Sequence, residues 1–201
     1  MITIIDYGMG NLGSVQNMFK HVGAASVIAN DVATIQKAEK ILLPGVGAFD
    51  TAMRQIDVSG LRDILNHKAL VEKIPVLGIC LGMQLLTQSS EEGNATGLGW
   101  VNATCHRFPV QPGLKVPHMG WNSVTQTNAS PLTMGLPADS RFYFVHSYYV
   151  RVADEKDSIL KAHHGVTFDA ALQSGNIYGA QFHPEKSHRF GMQLFKNFAG
   201  L

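Results

Sequence analysis

Residues 75–82 read Pro-Val-Leu-Gly-Ile-Cys-Leu-Gly, and this stretch decides the fold. The apolar run from Pro75 to Ile79 predicts a strand, which leads directly into a helical segment from Leu81 to Leu86. Glycines flank Cys80 in a Gly-x-Cys-x-Gly spacing that permits a tight, strained turn between strand and helix. We therefore expect Cys80 to stand at the edge of a sheet.

Upstream of this stretch, short apolar runs alternate with amphipathic segments. Strands that alternate with helices predict a parallel sheet with right-handed crossovers. The expected elements are strand Ile2 to Ile5, a helix capped by Asn11 and closed by Gly23, strand Ser26 to Ala29, a short helix Asp31 to Ala38, strand Lys40 to Leu43, and helical patterns over Phe49 to His67.

From about Gly97 the pattern changes to short β-like runs separated by turn residues. These runs are Val116 to Met119, Phe142 to Tyr149, Ser158 to Ala162, Thr167 to Gln173 and Ile177 to Phe182. Ser187 is expected to cap a final helix that reaches Phe198. The predicted fold class is α/β, with a mostly parallel central sheet flanked by helices and additional antiparallel strands in the second half. We expect one domain over residues 1–201.

Composition excludes several classes of function. The 201 residues carry 16 Lys and Arg against 15 Asp and Glu, a net charge of +1, which disfavours nucleic-acid and lipid-surface binding. Two cysteines and a start without a signal-peptide pattern predict a cytoplasmic protein. No stretch is long and apolar enough to predict a membrane span. The histidines lack the spacings of zinc sites, and no Walker or Gly-x-Gly-x-x-Gly sequence occurs, so no metal or cofactor is predicted.

Cys80 is the candidate nucleophile. The partial positive charge of a helix N-terminus favours a thiolate there, and the N–H of Leu81, without a helical acceptor, can point at an oxyanion. The alternative is a buried, inert cysteine, the commoner fate of this residue type. Cys105 has no comparable context and is expected to be structural.

A thiolate also needs a group that manages protons. His183-Pro184-Glu185 follows the last predicted strand, and residues two apart in an extended segment face the same side. Glu185 could therefore hold the imidazole of His183 while that ring faces Cys80. A surface ion pair is the alternative for an isolated His-x-Glu pattern.

Pro44-Gly45-Val46-Gly47 directly follows the strand Lys40 to Leu43. In a parallel sheet this loop lies at the same carboxyl edge as Cys80, so a Val46 or Gly47 N–H could be a second oxyanion donor. An ordinary strand-to-helix turn explains the segment equally well.

Taken together, these motifs resemble those of the class I (triad) glutamine amidotransferases, whose fold is flavodoxin-like. The resemblance rests on Leu42 to Phe49, Gly78 to Leu85 and Gln181 to Glu185 in the family's order, and covers nearly the whole chain. It implies that Cys80, His183 and Glu185 hydrolyse glutamine to glutamate and ammonia through a glutamyl thioester. Leu81, Val46 and Gly47 would form the oxyanion hole, and Gln84, Glu92, Ser147 and Tyr148 would bind the amino-acid end of the substrate.

Within this class the sequence resembles the glutaminase subunits of imidazole glycerol phosphate synthases, in histidine biosynthesis. The features are Asp6 to Asn11, Pro117 to Asn122, Tyr143 to Tyr148, and Lys186-Ser187. The resemblance implies a (β/α)8-barrel cyclase partner in a heterodimer, to which ammonia passes by a closed route. The cyclase would make imidazole glycerol phosphate and aminoimidazole carboxamide ribotide. Asn11, Trp121, Tyr143 and Lys186 match interface positions, although core filling is the alternative for Trp121.

Three other interpretations remain open. The chain could be the glutaminase of a different synthase, a stand-alone γ-glutamyl hydrolase, or a partner module without activity. His146 lies inside an apolar run and is expected to be a core residue and not a ligand.

Overall fold

The computed structural model describes residues 1–201. Thirteen strands and six α-helices are present, with short 3₁₀ turns and one π-helical segment, His67–Val71, between them. The strands are β1 Ile2–Ile5, β2 Ser26–Ala29, β3 Lys40–Leu43, β4 Val76–Ile79, β5 Ser89–Ser90, β6 Ala103–Arg107, β7 His118–Ser123, β8 Thr125–Gln126, β9 Arg141–His146, β10 Tyr148–Val152, β11 Ser158–His164, β12 Val166–Ser174 and β13 Ile177–Ala180. The helices are α1 Leu12–His21, α2 Val32–Gln36, α3 Phe49–Val58, α4 Arg62–Asn66, α5 Leu81–Leu85 and α6 His188–Gly200.

The first half forms the predicted parallel sheet. Its strands lie in the order β2-β1-β3-β4, all parallel, because each is followed by a helix that returns the chain to the opposite edge. Asn11 caps α1 by accepting a hydrogen bond from the N–H of Ser14 at 3.2 Å, as predicted. The α/β class and its mostly parallel central sheet are confirmed.

β13 belongs to this parallel part of the sheet, and its interpretation as one of the antiparallel additions is wrong. It pairs in parallel with β4, with Ala180 opposite Ile79, and antiparallel with β12. Parallel pairing makes both strands end at the same edge of the sheet. The segments that follow them, which contain Cys80 and His183, therefore emerge side by side.

The antiparallel additions extend the sheet through β12, β10 and β6, while β11 pairs with β12 and β8 pairs with β11. β7 and β9 form a separate two-stranded sheet. The single run expected from Phe142 to Tyr149 is two strands, because the chain leaves the small sheet and joins the large one at Ser147.

Two apolar cores lie on the two faces of the large sheet. Phe19 of α1 meets Phe195 of α6 edge-to-face at 4.6 Å on one face, and α3 packs Phe49, Met53 and Ile56 on the other. None of the helices is long and apolar enough to cross a bilayer.

The helical patterns expected over Phe49 to His67 form two helices, α3 and α4, which Gly60 separates with its φ of +71°. Two local expectations were wrong. The strand expected at Val116 to Met119 begins at His118 and extends to Ser123. Ser187 precedes α6 but does not cap it, because its hydroxyl donates to the carbonyl of His183 at 2.6 Å and accepts from the N–H of Tyr143 at 3.0 Å.

Candidate active site

Cys80 occupies a sharp turn between β4 and α5. Its φ of +53° and ψ of −110° lie in a region that non-glycine residues rarely adopt, so the turn is strained. A Cβ on Gly78 would approach the carbonyl oxygen of Gly82 to 2.6 Å, and a Cβ on Gly82 would approach that of Leu43 to 1.8 Å. Both flanking glycines are thus required by close backbone contacts, and the predicted strand-to-helix elbow is present.

His183 and Glu185 lie beside this elbow because β13 runs alongside β4. Nδ1 of His183 is 2.7 Å from Oε1 of Glu185, and the two side chains are only 6% and 5% exposed. The expectation that His183 to Glu185 is extended was wrong, since Pro184–Lys186 forms a 3₁₀ turn. The hydrogen bond forms within that turn.

The charge state of His183 depends on both neighbours. Burial alone would lower the pKa of His183, but hydrogen bonds and charge attraction from Cys80 and Glu185 outweigh it and raise the pKa to about 10. Near neutral pH the imidazole is therefore protonated beside the sulfur. An imidazolium in this position can donate a proton to a leaving group.

A pocket of about 330 Å³ opens in front of the sulfur. It brings together most of the residues expected from the sequence to form the site: Val46, Gly47, Cys80, Leu81, Gln84, Glu92, Ser147, Tyr148 and His183. Glu185 lies behind His183 and lines a smaller adjacent cavity. Pro117, Val145, His146 and Lys186 also line the pocket, which the sequence did not predict.

Gln84 and Glu92 each have one side-chain oxygen available inside the pocket. Nε2 of Gln84 donates to the carbonyl of Tyr148 at 3.0 Å and to Oε1 of Gln181 at 3.2 Å, so its own Oε1 remains an acceptor. Oε2 of Glu92 accepts from the N–H of Phe49 at 2.8 Å. Burial raises the pKa of Glu92. Two acceptor oxygens suit the ammonium group of an amino acid.

The backbone carbonyls of Ser147 and Tyr148 already accept hydrogen bonds. The carbonyl of Ser147 accepts from the N–H of Phe108 at 3.1 Å, and that of Tyr148 accepts from Gln84 and lies 2.8 Å from Nδ1 of His146. This segment can therefore offer a substrate its N–H groups in preference to its carbonyls.

The loop after β3 supplies the second candidate oxyanion donors. Val46 is exposed at 46%, Gly47 has a φ of +107°, and neither N–H donates a hydrogen bond within the chain. Tyr7 lies beneath this loop and donates its hydroxyl hydrogen to the carbonyl of Pro44 at 2.6 Å. Gly45 allows this approach, because a Cβ there would fall 2.4 Å from the hydroxyl oxygen.

Cys105 and His146 are both buried, and only His146 borders the pocket. Burial raises the pKa of Cys105 to about 12, and the residue is 1% exposed, in agreement with a structural thiol. His146 forms a buried pair with His118, with a ring-nitrogen separation of 2.9 Å, and both rings pack among phenylalanines. His146 is a core residue, as expected.

The sequence did not identify Gln181 as part of the site. Its side chain is fully buried, and Nε2 lies 4.0 Å from the sulfur of Cys80. The available signal was a glutamine within the apolar run from Ile177 to Phe182.

The candidate interface residues surround the same edge. Trp121 is 43% exposed, pairs across β7 and β9 with Tyr143, and stacks on His188 with ring centroids 5.4 Å apart. Lys186 lies over the ring of Tyr143 at 5.8 Å, and Asn11 is exposed. Met119, at 63% exposure, extends this apolar surface and was not predicted.

Comparison with known proteins agrees with this geometry. The family of class-I glutamine amidotransferases matches residues 3–200. A subunit named imidazole glycerol phosphate synthase subunit HisH 2, from Methanococcus maripaludis, is 52% identical over 98% of each chain. A subunit of the same name from Pseudomonas aeruginosa is 50% identical over the whole of both chains. Among solved structures, one described as a glutamine amidotransferase superposes with a TM-score of 0.78 over the full length of both chains at 15% identity, which shows the shared fold. The chain belongs to the class-I glutamine amidotransferase family.

Proposed function

We propose that this chain is the glutaminase subunit of an imidazole glycerol phosphate synthase and that Cys80, His183 and Glu185 are its catalytic residues. The observation that carries the proposal is the pocket in which the strained Cys80 turn and the buried His183–Glu185 pair meet. The identity of about 50% to HisH subunits over their full length supports the choice of synthase.

The first half of the reaction forms a thioester. The Cys80 thiolate attacks the side-chain amide carbon of glutamine, and the N–H groups of Leu81 and of Val46 or Gly47 hold the resulting oxyanion. His183, protonated because its pKa is raised, gives its proton to the nitrogen as the carbon–nitrogen bond breaks. Ammonia leaves, and the glutamyl group remains bonded to sulfur.

The second half regenerates the thiolate. His183, now neutral, takes a proton from water as the water oxygen attacks the thioester carbon. The carbon–sulfur bond breaks, the thiolate is restored beside the imidazolium, and glutamate is released. Glu185 steadies the imidazolium through the 2.7 Å contact. Gln84, Glu92 and the Ser147–Tyr148 segment hold the amino-acid end of the substrate.

The partner in this proposal is a (β/α)8-barrel cyclase, bound as a heterodimer through the surface around Asn11, Trp121, Tyr143 and Lys186. Lys186 supports the assignment because it lines the substrate pocket and also lies over Tyr143 on this surface. Ammonia released near His183 would then enter the partner without crossing solvent. We further propose that residues 1–201 act as a single amidotransferase domain in the cytoplasm, without metal or cofactor.

The Gly45-Val46-Gly47 peptide is the proposed switch that keeps hydrolysis slow until the cyclase binds its nucleotide. The unpaired N–H of Val46 and the positive φ of Gly47 support a peptide that can change orientation without breaking an internal hydrogen bond. In the resting chain we expect this N–H to face away from the oxyanion position. A crystal structure of the free chain in which Val46 N–H already faces that position would contradict the switch.

One assay separates the alternatives. Glutamate release from glutamine is measured for the chain alone, with the cyclase subunit, and with the cyclase and its nucleotide. We expect turnover that depends on the partner and is lost in Cys80→Ser, while Cys105→Ser, a change of the same atom in the core, retains it. Rapid unstimulated turnover would support a stand-alone γ-glutamyl hydrolase, and no turnover under any condition would support an inactive module. Turnover stimulated only by a different synthase would reassign the partner.

A further inference from the structure

Gln181 lies next to Cys80 at the edge of the sheet. It is the first residue after β13, as Cys80 is the first after β4, and the two strands pair in parallel with Ala180 opposite Ile79. The N–H of Cys80 donates to the carbonyl of Ala180 at 2.8 Å, which fixes the two backbones together. Gln181 is 0% exposed, so its amide group has no contact with solvent.

The orientation of the Gln181 amide follows from its neighbours. The carbonyl of Tyr148 can only accept a hydrogen bond, so the Gln84 atom 3.0 Å from it must be the amide nitrogen. The second hydrogen on that nitrogen points at Gln181 3.2 Å away, so the facing atom must be the carbonyl oxygen. The amide nitrogen of Gln181 therefore points toward the sulfur of Cys80, at 4.0 Å.

A second neighbour of the Cys80 sulfur, the carbonyl group of Val145, favours the neutral thiol over the thiolate. The carbonyl oxygen of Val145 lies 3.8 Å from it and can accept a hydrogen bond from a thiol but repels a thiolate. When the proton leaves the sulfur, only an N–H donor can replace the lost interaction on the protein side. Hydrogen bonds to a charged group are stronger than those between neutral groups, so the Gln181 N–H gains importance in the thiolate state.

We propose that Gln181 is a positioning residue that donates a hydrogen bond to the Cys80 thiolate, with its amide held in the donating orientation by Gln84. This inference rests on the proposed role of Cys80 as nucleophile and adds a residue to that site. Gln84 would then act on both the substrate and the sulfur. Its side-chain oxygen is free to accept a hydrogen bond from the substrate, and its nitrogen orients the amide of Gln181.

The test measures the thiolate directly. Cys80 is alkylated with iodoacetamide as a function of pH, in a Cys105→Ser background, for the wild type, Gln181→Leu and Gln181→Glu. We expect the midpoint of the rate–pH curve to move upward by about one pH unit in Gln181→Leu and further in Gln181→Glu, whose carboxylate repels the sulfur. Gln126→Glu, a matched change on the exposed strand β8, is the control and should leave the midpoint in place.

A structural role alone would not move this midpoint, so a midpoint that stays unchanged in folded Gln181→Leu overturns the proposal even if activity falls. If the Gln181 variants do not fold by circular dichroism, Gln84→Met decides, because it releases the Gln181 amide and should raise the midpoint by a smaller amount. No change in that variant also overturns it.

The same variants in complex with the cyclase subunit and its nucleotide give the kinetic result. We expect kcat to fall about tenfold in Gln181→Leu while KM changes little, because the residue does not line the substrate pocket. Failure of the wild-type complex to release glutamate would defeat the proposed function instead, while the alkylation midpoint would still report on Gln181.

Discussion

The carbonyl oxygen of Leu43 lies only 1.8 Å from where a Cβ on Gly82 would have to be. Leu43 is the last residue of β3 and Gly82 lies in the first turn of α5, so the helix after Cys80 rests directly on the end of the neighbouring strand. The same contact brings Leu81 close to the loop that contains Val46. The absence of a side chain at Gly82 thus allows Leu81 and the loop with Val46, which carry the proposed oxyanion donors, to lie close together.

Gly82→Ala is therefore expected to destabilise the protein by about 3 kcal/mol, because the backbone of β3 or α5 must move to admit the methyl group. Urea unfolding measures this loss, and glutaminase activity of the complex should fall by a factor of at least about 100 since the oxyanion donors separate.

Gly13→Ala is the matched control, because Gly13 lies in α1 and a methyl group added there would meet nothing within 4 Å. It should gain up to about 1 kcal/mol from helix propensity. Equal stability of the two variants would contradict the assigned contact.

The local pattern of the sequence was sufficient for the parallel half of the fold. Short apolar runs bounded by turn residues predicted β1, β2 and β3 with their observed bounds, and the glycines around Cys80 predicted the turn. The direction of β13 could not be derived in this way, because an apolar run carries no information about which neighbour it pairs with. Because β13 runs parallel to β4, His183 emerges at the same edge of the sheet as Cys80.

Other parts of the site depend on contacts between distant segments. The Gln84–Gln181 contact joins residues 97 positions apart, and the carbonyls of Ser147 and Tyr148 take their partners from other segments. The sequence could predict that His183 and Glu185 approach one another, but not the 3₁₀ turn that brings them together, because Pro184 is compatible with both conformations.

The raised pKa of His183 should depend on the sulfur of Cys80. Burial lowers this pKa, but Cys80 and Glu185 together raise it to about 10, so replacing the sulfur in Cys80→Ser should bring the pKa of His183 well below that value. NMR titration of the imidazole signals measures it, with Cys105→Ser as the control that should match the wild type. An unchanged titration in Cys80→Ser would show that the two side chains are not coupled.

The raised pKa of His183 also makes the stability of the folded protein depend on pH. A raised pKa in the folded state contributes stability that is fully present below the ordinary pKa of a histidine and is lost as the pH rises through about 10. Chemical unfolding between pH 7 and pH 10 should show a decline in the wild type that is smaller in Cys80→Ser. A decline of equal size in both would assign it to other groups.

The buried pair of His118 and His146 should make the protein less stable as the pH falls. Burial, together with the charge of His164, lowers the pKa of His118 to about 4, and burial is also the main cause that lowers the pKa of His146 to about 3. Both rings are neutral when folded but take up protons near pH 6.5 when unfolded, so stability is full above that pH and falls as the pH drops toward 4.

The expected loss is roughly 5 kcal/mol between pH 7 and pH 4.5, about half of it from each ring, measured by urea unfolding. In His118→Phe, which removes one of the two titrations, the decline with falling pH should be shallower, although stability at pH 7 is itself lower. His21→Gln, on the exposed end of α1, serves as the control. A decline in His118→Phe as steep as in the wild type would show that this pair is not responsible.

Trp121 is expected to be a main contributor to affinity for the cyclase subunit. Its ring is held in place before binding by the stack on His188, by Arg141 at 5.9 Å and by Tyr143 at 6.2 Å, so little side-chain freedom remains to be lost on association. Trp121→Ala should weaken binding by roughly 2 kcal/mol, about 30-fold in Kd, measured by isothermal titration calorimetry.

Val58→Ala is the control, because Val58 is 79% exposed, more than Trp121, but lies at the far end of α3, away from the edge that bears Cys80. If exposed apolar area alone drove association, Val58 would contribute as much as Trp121. Comparable affinities for Trp121→Ala and the wild type would place the interface on another face of the molecule.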